Sequence, residues 1–387
     1  MDAILPLRGV IKQYDWGGPH FIAELLSVSN SEQKPFAEYW MGVHPQGMAQ
    51  VQTSEGQWLP LDRLAGELSF LLKVLDVRSM LSIQVHPTKA AAVYEFEREN
   101  QLGVPLDSPQ RNYKDANHKP ELMVALSDFW LLHGFKDRDA LTATLRQIAA
   151  LRFLLPVFEQ GGYEGLYRRV MEMPQPEVDQ HLRSQIDSVL PLYQQNVLKR
   201  NDPDFWAARV ALGFSQGGHI DRGIFSVYLF NLVQLHPGEA IFQDAGVPHA
   251  YLEGQNVEIM ANSDNVLRGG LTNKHVDVAE LMKHVHFEPI VPRVLLPLQE
   301  EGWFETPVDD FRLGQLSLLS GSTQRVQTTT PVLLLCMRGT VEVEAGGRTI
   351  TLKQGQPAAL LGSGQTALVK AFSDALLFRA SSGIHTR

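Results

Sequence analysis

The sequence predicts a mainly β protein with an inserted helical unit, and three observations carry that reading. From the start to about residue 136, and again from about residue 216, short apolar runs are broken by Gly, Pro and Asn, the punctuation of strands and turns. Between 137 and 215 the period changes: Leu141, Leu145 and Ile148 recur at helical spacing, as do Val178, Leu182, Ile186 and Val189. From about residue 295 to the end, apolar runs return between regularly spaced Gly-bearing turns, Gly346-Gly347 among them.

In the first stretch, strands are expected at 50–52, 70–77, 81–85 and 122–126. One helix is set among them: Thr88 is placed to cap it, acidic and apolar residues run through Glu95 to Glu99, and Gly103 ends it. In the helical unit, Asp202-Pro203 reads as an N-cap and first-turn pair. Strand signals resume at 224–235, pass the turn His236-Pro237-Gly238-Glu239, and continue through 240–242 and 256–260. A β unit interrupted by helices and then resumed accounts for this order. Residues 1–136 and 216–294 then form one discontinuous unit, 137–215 the helical insert, and 295–387 a second all-β unit. That last unit is expected to hold strands at 332–337, 340–344, 348–352 and 358–361; it lacks a His/Glu cluster and is assigned no metal.

With 387 residues, 44% of them hydrophobic, the chain can bury large cores, and its length suits two or three domains. A formal charge of −9, with no basic run to offset it, argues against nucleic acid or an anionic membrane as the main partner. The one cysteine, Cys336, lies inside an apolar run; it rules out an internal disulfide and reads as a small buried hydrophobe in a reducing compartment. The first residues show no basic segment followed by an apolar one, and no stretch approaches a membrane span. The cytoplasm is the expected location.

The chemistry concentrates in Ser82-Ile83-Gln84-Val85-His86-Pro87. Read as a strand, its alternation puts Ser82, Gln84 and His86 on one face, where the plain expectation is a solvated polar surface. The neighbourhood changes that expectation. Pro87 cannot donate to a sheet ladder, so the strand stops at a rim or edge, where barrels place their sites. In His118-Lys119-Pro120-Glu121 a carboxylate stands at the mouth of an apolar run, where it needs a cation or a donor. His249 follows the turn-forming Gly246 and Pro248. Together the three segments supply two imidazoles, a carboxylate and an amide oxygen, a donor set able to hold a metal ion.

Several blocks, in this order, resemble those of the type I phosphomannose isomerases, members of the cupin barrels. They are Tyr14-Asp15-Trp16-Gly17, the run 35–45, the segment 81–87, Asn112-Tyr113-Lys114-Asp115 with Asn117-His118-Lys119-Pro120-Glu121-Leu122, Pro248-His249-Ala250-Tyr251-Leu252, and the run 260–272. The resemblance implies two cupin (jelly-roll) barrels in tandem beside the helical insert, the first bearing metal and the second metal-free. It implies one Zn2+ held by Gln84, His86, Glu121 and His249, and it points to Arg268 as a catalytic residue. The activity it implies is interconversion of mannose 6-phosphate and fructose 6-phosphate through an enediol, with a small-molecule sugar phosphate as partner; a monomer is the expected working form. Two neighbours of matched residues depart from the pattern: Asn273 stands where many relatives carry Pro, and Tyr39 where Leu is common.

An aldose-ketose conversion moves a proton between adjacent carbons and needs positive charge beside the enediolate. Two imidazoles, one carboxylate and one neutral amide leave a divalent ion with net positive charge, fit to act as a Lewis acid. Arg268, followed by Gly269-Gly270 that let the backbone approach a ligand, is expected as a fixed cation; its plainer reading is a partner for Asp264 on the same loop. Lys119, His118, Glu258 and Asp264 are rival proton carriers that the sequence does not rank. Trp16, Glu38, Ser82, Tyr251 and Lys274 are expected to complete the wall, with Ser82 and the cations taking hydroxyls or phosphate. Neither a P-loop nor a dinucleotide fingerprint is present, so ATP and NAD are not expected. Two other classes stay open on sequence alone: an iron-dependent cupin oxygenase or epimerase, and a non-catalytic sugar-phosphate-binding cupin.

Overall fold

The computed structural model describes residues 3–215, 217–299, 302–362 and 364–383. Their strands form a ten-stranded, a seven-stranded and a four-stranded sheet, and most of the helices fall between residues 138 and 229.

Alternation along the ten-stranded sheet creates the face that matters. The strand Phe70–Val77 is buried along its whole length, yet Phe70, Leu72 and Val74 enter one apolar core while Lys73, Leu75 and Val77 face the other way. Its neighbour Glu38–Gly42 sends Tyr39 and Met41 into the same core and turns Glu38 and Trp40 outward from it. Likewise Val257 and Ile259 of His249–Ala261, and Leu122 and Val124 of Glu121–Ala125, go in, leaving Glu258 and Glu121 on the far side. Pairing sets Lys73 opposite both Trp40 and Glu258, and Glu121 opposite Met260. A period of two thus collects Glu38, Lys73, Glu121 and Glu258 on one face of four adjacent strands.

The apolar face packs on the seven-stranded sheet through residues such as Leu333, Leu335, Phe378 and Ala380. The opposite face of that second sheet packs Leu334, Cys336 and Leu377 on Val341, Val343 and Val369 of the four-stranded sheet. Alternate residues of Val332–Arg338 therefore enter two cores, which is why this strand reads as a continuous apolar run. The first strand, Ile4–Arg8, pairs with Pro357–Leu360 on one side and Gln50–Gln52 on the other, so the seven-stranded sheet joins both ends of the chain.

Thr88 caps the helix Lys89–Gln101 by accepting the Ala91 amide, and Asp137 and Asp202 cap Arg138–Gln147 and Pro203–Phe214 in the same way. The expected apolar stripes, Leu141 with Leu145 and Val178 through Val189, are buried in one helical core. That core also receives Ile83 and Val85, so the alternate residues Gln84 and His86 are turned from it.

Two expected strands differ. The segment 81–85 is a strand only at Gln84–Val85; Leu81 and Ile83 instead donate their amides to the Tyr251 and Gly270 carbonyls. The run 224–235 is a helix, Gly223–Leu229, followed by the strand Phe230–Leu235. Every residue of that helix is buried, and its β-branched and aromatic side chains find partners all round it, so burial on all sides hides the helical period.

The long strand His249–Ala261 bends to serve two pairings. Its first limb pairs with Phe129–Phe135 and Gln84–Val85, its second with Phe70–Val77 and Glu121–Ala125. Gly254 stands at the change with φ +136°, where a Cβ would lie 2.5 Å from the Phe129 ring and 2.9 Å from the Asp128 carbonyl oxygen. The bend lets His249 and Glu258 face the same space from different limbs. Gly254→Ala is expected to destabilise the protein by about 1–3 kcal/mol, read as a lowered thermal midpoint. An unchanged midpoint would show that this backbone position is not restricted.

Candidate metal centre

Three ligand-type side chains converge. The imidazole Nε2 atoms of His86 and His249 lie 3.6 and 3.5 Å from the two carboxylate oxygens of Glu121. One ligand atom from each residue falls within 4.8 Å of the others, and all three residues are buried. Gln84 lies opposite both His249 and Arg268 in the strand pairing, so all three side chains project to one face. It joins Glu121, His249, Lys119, Tyr251 and Glu258 around a cavity of ≈ 60 Å³.

The hydrogen bonds fix the chemical state of the imidazoles. His86 Nδ1 lies 2.9 Å from the Asn265 carbonyl oxygen, and His249 Nδ1 lies 2.9 Å from that of Val247. A carbonyl only accepts, so in both rings Nδ1 carries a proton, and the neutral tautomer offers its lone pair at Nε2. Burial holds the His86 imidazolium pKa down at about 4 against the pull of Glu121, which keeps the ring neutral. Burial opposes the charge on Glu121 as well, but its neighbours, led by Lys119 at 3.0 Å, outweigh it and hold its carboxyl well below the usual range. Two lone pairs thus face an anionic carboxylate, and His86 Nε2 is buried without a hydrogen-bond partner among the described residues. A divalent cation satisfies all of these atoms at once, so the donor set fits zinc.

A second buried group adjoins the first. Lys73 Nζ lies 3.1 Å from Glu258 and 3.7 Å from Glu38, while the Tyr251 hydroxyl donates to the other oxygen of Glu258 at 2.8 Å. The Glu38 carboxylate also accepts the Trp40 indole N–H. Burial penalises the Lys73 charge, but its carboxylate neighbours push it above the usual lysine range. Burial raises the Glu258 carboxyl despite Lys73.

The remaining expected residues are spread around these groups. Asp264 accepts from Gln46 at 2.8 Å and sits 3.4 Å from His44, so it is not the partner of Arg268. Arg268 makes no side-chain hydrogen bond or ion pair among the described residues, and burial lowers its pKa. Partial desolvation and the Arg268 charge together lower that of Lys274, which stands at the surface. Trp16 stacks on Tyr14 and packs with Leu81 beside Tyr251; Ser82, two residues before Gln84, is half-buried. His118 is turned elsewhere, 2.9 Å from Asp310. Of the two departures from the family pattern, Tyr39 faces the apolar core and its hydroxyl accepts the Gly9 amide at 2.7 Å, while Asn273 is exposed.

Sequence reasoning missed Lys73, although a lysine inside the apolar run Phe70–Val77 signals a buried charge with partners. It also missed His133, which lies opposite His249 and bonds Gln243 at 2.8 Å beneath Glu121. Burial holds His133 at about 4. Nothing in its local sequence sets it apart from an ordinary strand residue.

His86 and His133 shift downward from an ordinary value of 6.5, so the unfolded chain binds protons that the folded chain refuses as pH falls from 6.5 to about 4. The stability they confer is complete above pH 6.5 and lost across that window. The urea midpoint of the metal-free protein is expected to fall from pH 7 to pH 5; a flat profile would contradict neutral, buried imidazoles.

Comparison with known proteins agrees with this geometry. The model of the catalytic domain of type I phosphomannose isomerase matches residues 4–138. The mannose-6-phosphate isomerase of Shigella flexneri is 34% identical, covering 93% of this chain and 95% of the relative. That of Rattus norvegicus is 32% identical, with 97% and 98% covered. Among solved structures, mannose 6-phosphate isomerase from Salmonella typhimurium, bound to substrate (fructose 6-phosphate) and zinc, is similar with a TM-score of 0.87 at 30% identity, over 99% of this chain and 100% of that one. The alignment runs end to end, over both β regions and the helices between them, and this chain belongs to the type I phosphomannose isomerase family.

Proposed function

We propose that this chain is a zinc-dependent aldose-ketose isomerase that interconverts mannose 6-phosphate and fructose 6-phosphate, serving mannose metabolism. The observation that carries it is the convergence of two imidazoles on a buried carboxylate, in a chain of which 93% aligns with a mannose-6-phosphate isomerase. Gln84, His86, Glu121 and His249 would hold the ion. Zinc bound there supplies fixed positive charge that draws electron density from sugar oxygens and lowers the cost of the enediolate.

The other residues take roles that their surroundings support. Glu258, 2% exposed, carries the proton between C1 and C2: burial raises its proton affinity, and Lys73 and Tyr251 hold its two oxygens in place. Lys119 faces the same cavity and donates to a sugar oxygen. Arg268, with no side-chain partner among the described residues, stabilises developing negative charge, and Lys274 beside it takes phosphate. Asp264, Trp16, Glu38 and Ser82 shape the wall. His118, committed to Asp310, receives no part in proton transfer.

In the same reading 1–136 with 216–294 is the catalytic unit, 137–215 the helical unit and 295–387 the metal-free unit, with the seven-stranded sheet as the seam between the first and last. The protein works as a cytoplasmic monomer. Its buried Cys336, with the thiol pushed up to about 11 by burial, suits a reducing compartment. No helix of the described residues is long and apolar enough to cross a membrane.

Chelator-stripped protein is expected to lose turnover in a coupled assay with mannose 6-phosphate and to recover it with zinc; full turnover without metal would end the proposal. Glu258→Gln is expected to lower kcat by at least about 100-fold with zinc affinity retained. A matching loss of zinc would move Glu258 from proton transfer to metal support. Arg268→Ala should reduce kcat/KM by roughly 100- to 1000-fold, and a change below tenfold would remove it from the reacting centre.

A further inference from the structure

His86 has the least freedom of the converging side chains. Its ring is fully buried, and its Nδ1–H donates to the Asn265 carbonyl at 2.9 Å. Whatever places that carbonyl therefore sets which way Nε2 faces.

Asn265 is clamped from a second loop. Its side chain is 1% exposed; Nδ2 donates to the Asp115 and Asn117 carbonyls, both at 2.8 Å, and Oδ1 accepts the Lys114 amide at 2.7 Å. The Asp115 carboxylate closes the clamp from the other side. One oxygen accepts the Asp264 amide at 2.8 Å, and the other accepts the Ser263 hydroxyl and the Asn117 amide, each at 2.9 Å. One side chain thus ties together two loops 149 residues apart in sequence.

We propose that Asp115 is a positioning residue for the metal centre, acting through the 263–265 turn and the Asn265 carbonyl to fix the tautomer and aim of His86. The inference rests on the reading of His86 as a zinc ligand. Every group that reaches the Asp115 carboxylate is a donor, and only a carboxylate accepts on both sides. An asparagine of the same size turns its NH2 toward one of those donors, so one loop is released. The imidazole then loses the acceptor that holds its Nδ1–H in place. Partners of this kind tune metal affinity without touching the ion.

The test compares wild type, Asp115→Asn and Ser263→Ala, each stripped of metal and then titrated with zinc against a chromogenic chelator; cobalt absorption spectra report the ligand geometry. Asp115→Asn is expected to weaken zinc about 10- to 100-fold and to change the cobalt spectrum, with excess zinc restoring part of kcat. Ser263→Ala, which removes one of the bonds, is expected to act in the same direction and less. A cobalt spectrum and zinc affinity equal to wild type in Asp115→Asn would overturn the proposal; should that variant fail to fold, wild-type values in Ser263→Ala would overturn it. Failure of the wild type itself to bind zinc would instead overturn the zinc reading.

Discussion

A carboxylate buried on the polar face of a β-sheet has to be answered by positive charge or by donors, and the site is arranged around that demand at Glu121. Lys119 meets part of it from 3.0 Å. A neutral imidazole cannot meet the rest as a donor, because its one N–H, at Nδ1, is already committed to a backbone carbonyl in both rings. What they present to the carboxylate is a second and third lone pair, an arrangement that is unfavourable in a buried site until a cation joins it. Burial also keeps the His86 ring neutral, and neutral imidazole is the ligand form.

The scaffold enforces this geometry through alternation and bracing. Ile83 and Val85 are anchored in the helical core, so Gln84 and His86 have only the other side to occupy. Phe70, Leu72, Val74, Val257 and Ile259 are anchored between two sheets, so Lys73 and Glu258 are held on the opposite face by the burial of their neighbours. The charges sit where apolar packing, strong and non-directional, leaves them. Directional bonds then set their final aim, and the neighbouring quartet of Glu38, Lys73, Tyr251 and Glu258 is closed almost entirely within itself.

Much of this was legible in the sequence because it followed from short-range patterns. The strand Phe70–Val77, the cap at Thr88 and the apolar stripes of the helices matched their expected positions, since alternation, capping and helical period are local properties. The helix Gly223–Leu229 was not legible: packed on every side, its residues carry no amphipathic signal and its β-branched and aromatic side chains imitate a strand. In the site, the gathering of Gln84, His86, Glu121 and His249 was readable as a donor set, and the resemblance supplied their grouping. Lys73 was overlooked although its run announced it. His133, the aim of His118 toward Asp310, and the clamp of Asp115 on Asn265 depend on pairings across the fold that no local pattern encodes.

The central claim is that one zinc ion is held by two imidazoles, a carboxylate and an amide oxygen. X-ray absorption fine structure of the zinc-loaded protein tests it most directly. Zinc held in this way is expected to show nitrogen and oxygen neighbours at about 2.0–2.2 Å, with the more distant scattering of two imidazole rings and no sulfur. A sulfur shell, or a zinc environment without imidazole scattering, would contradict it.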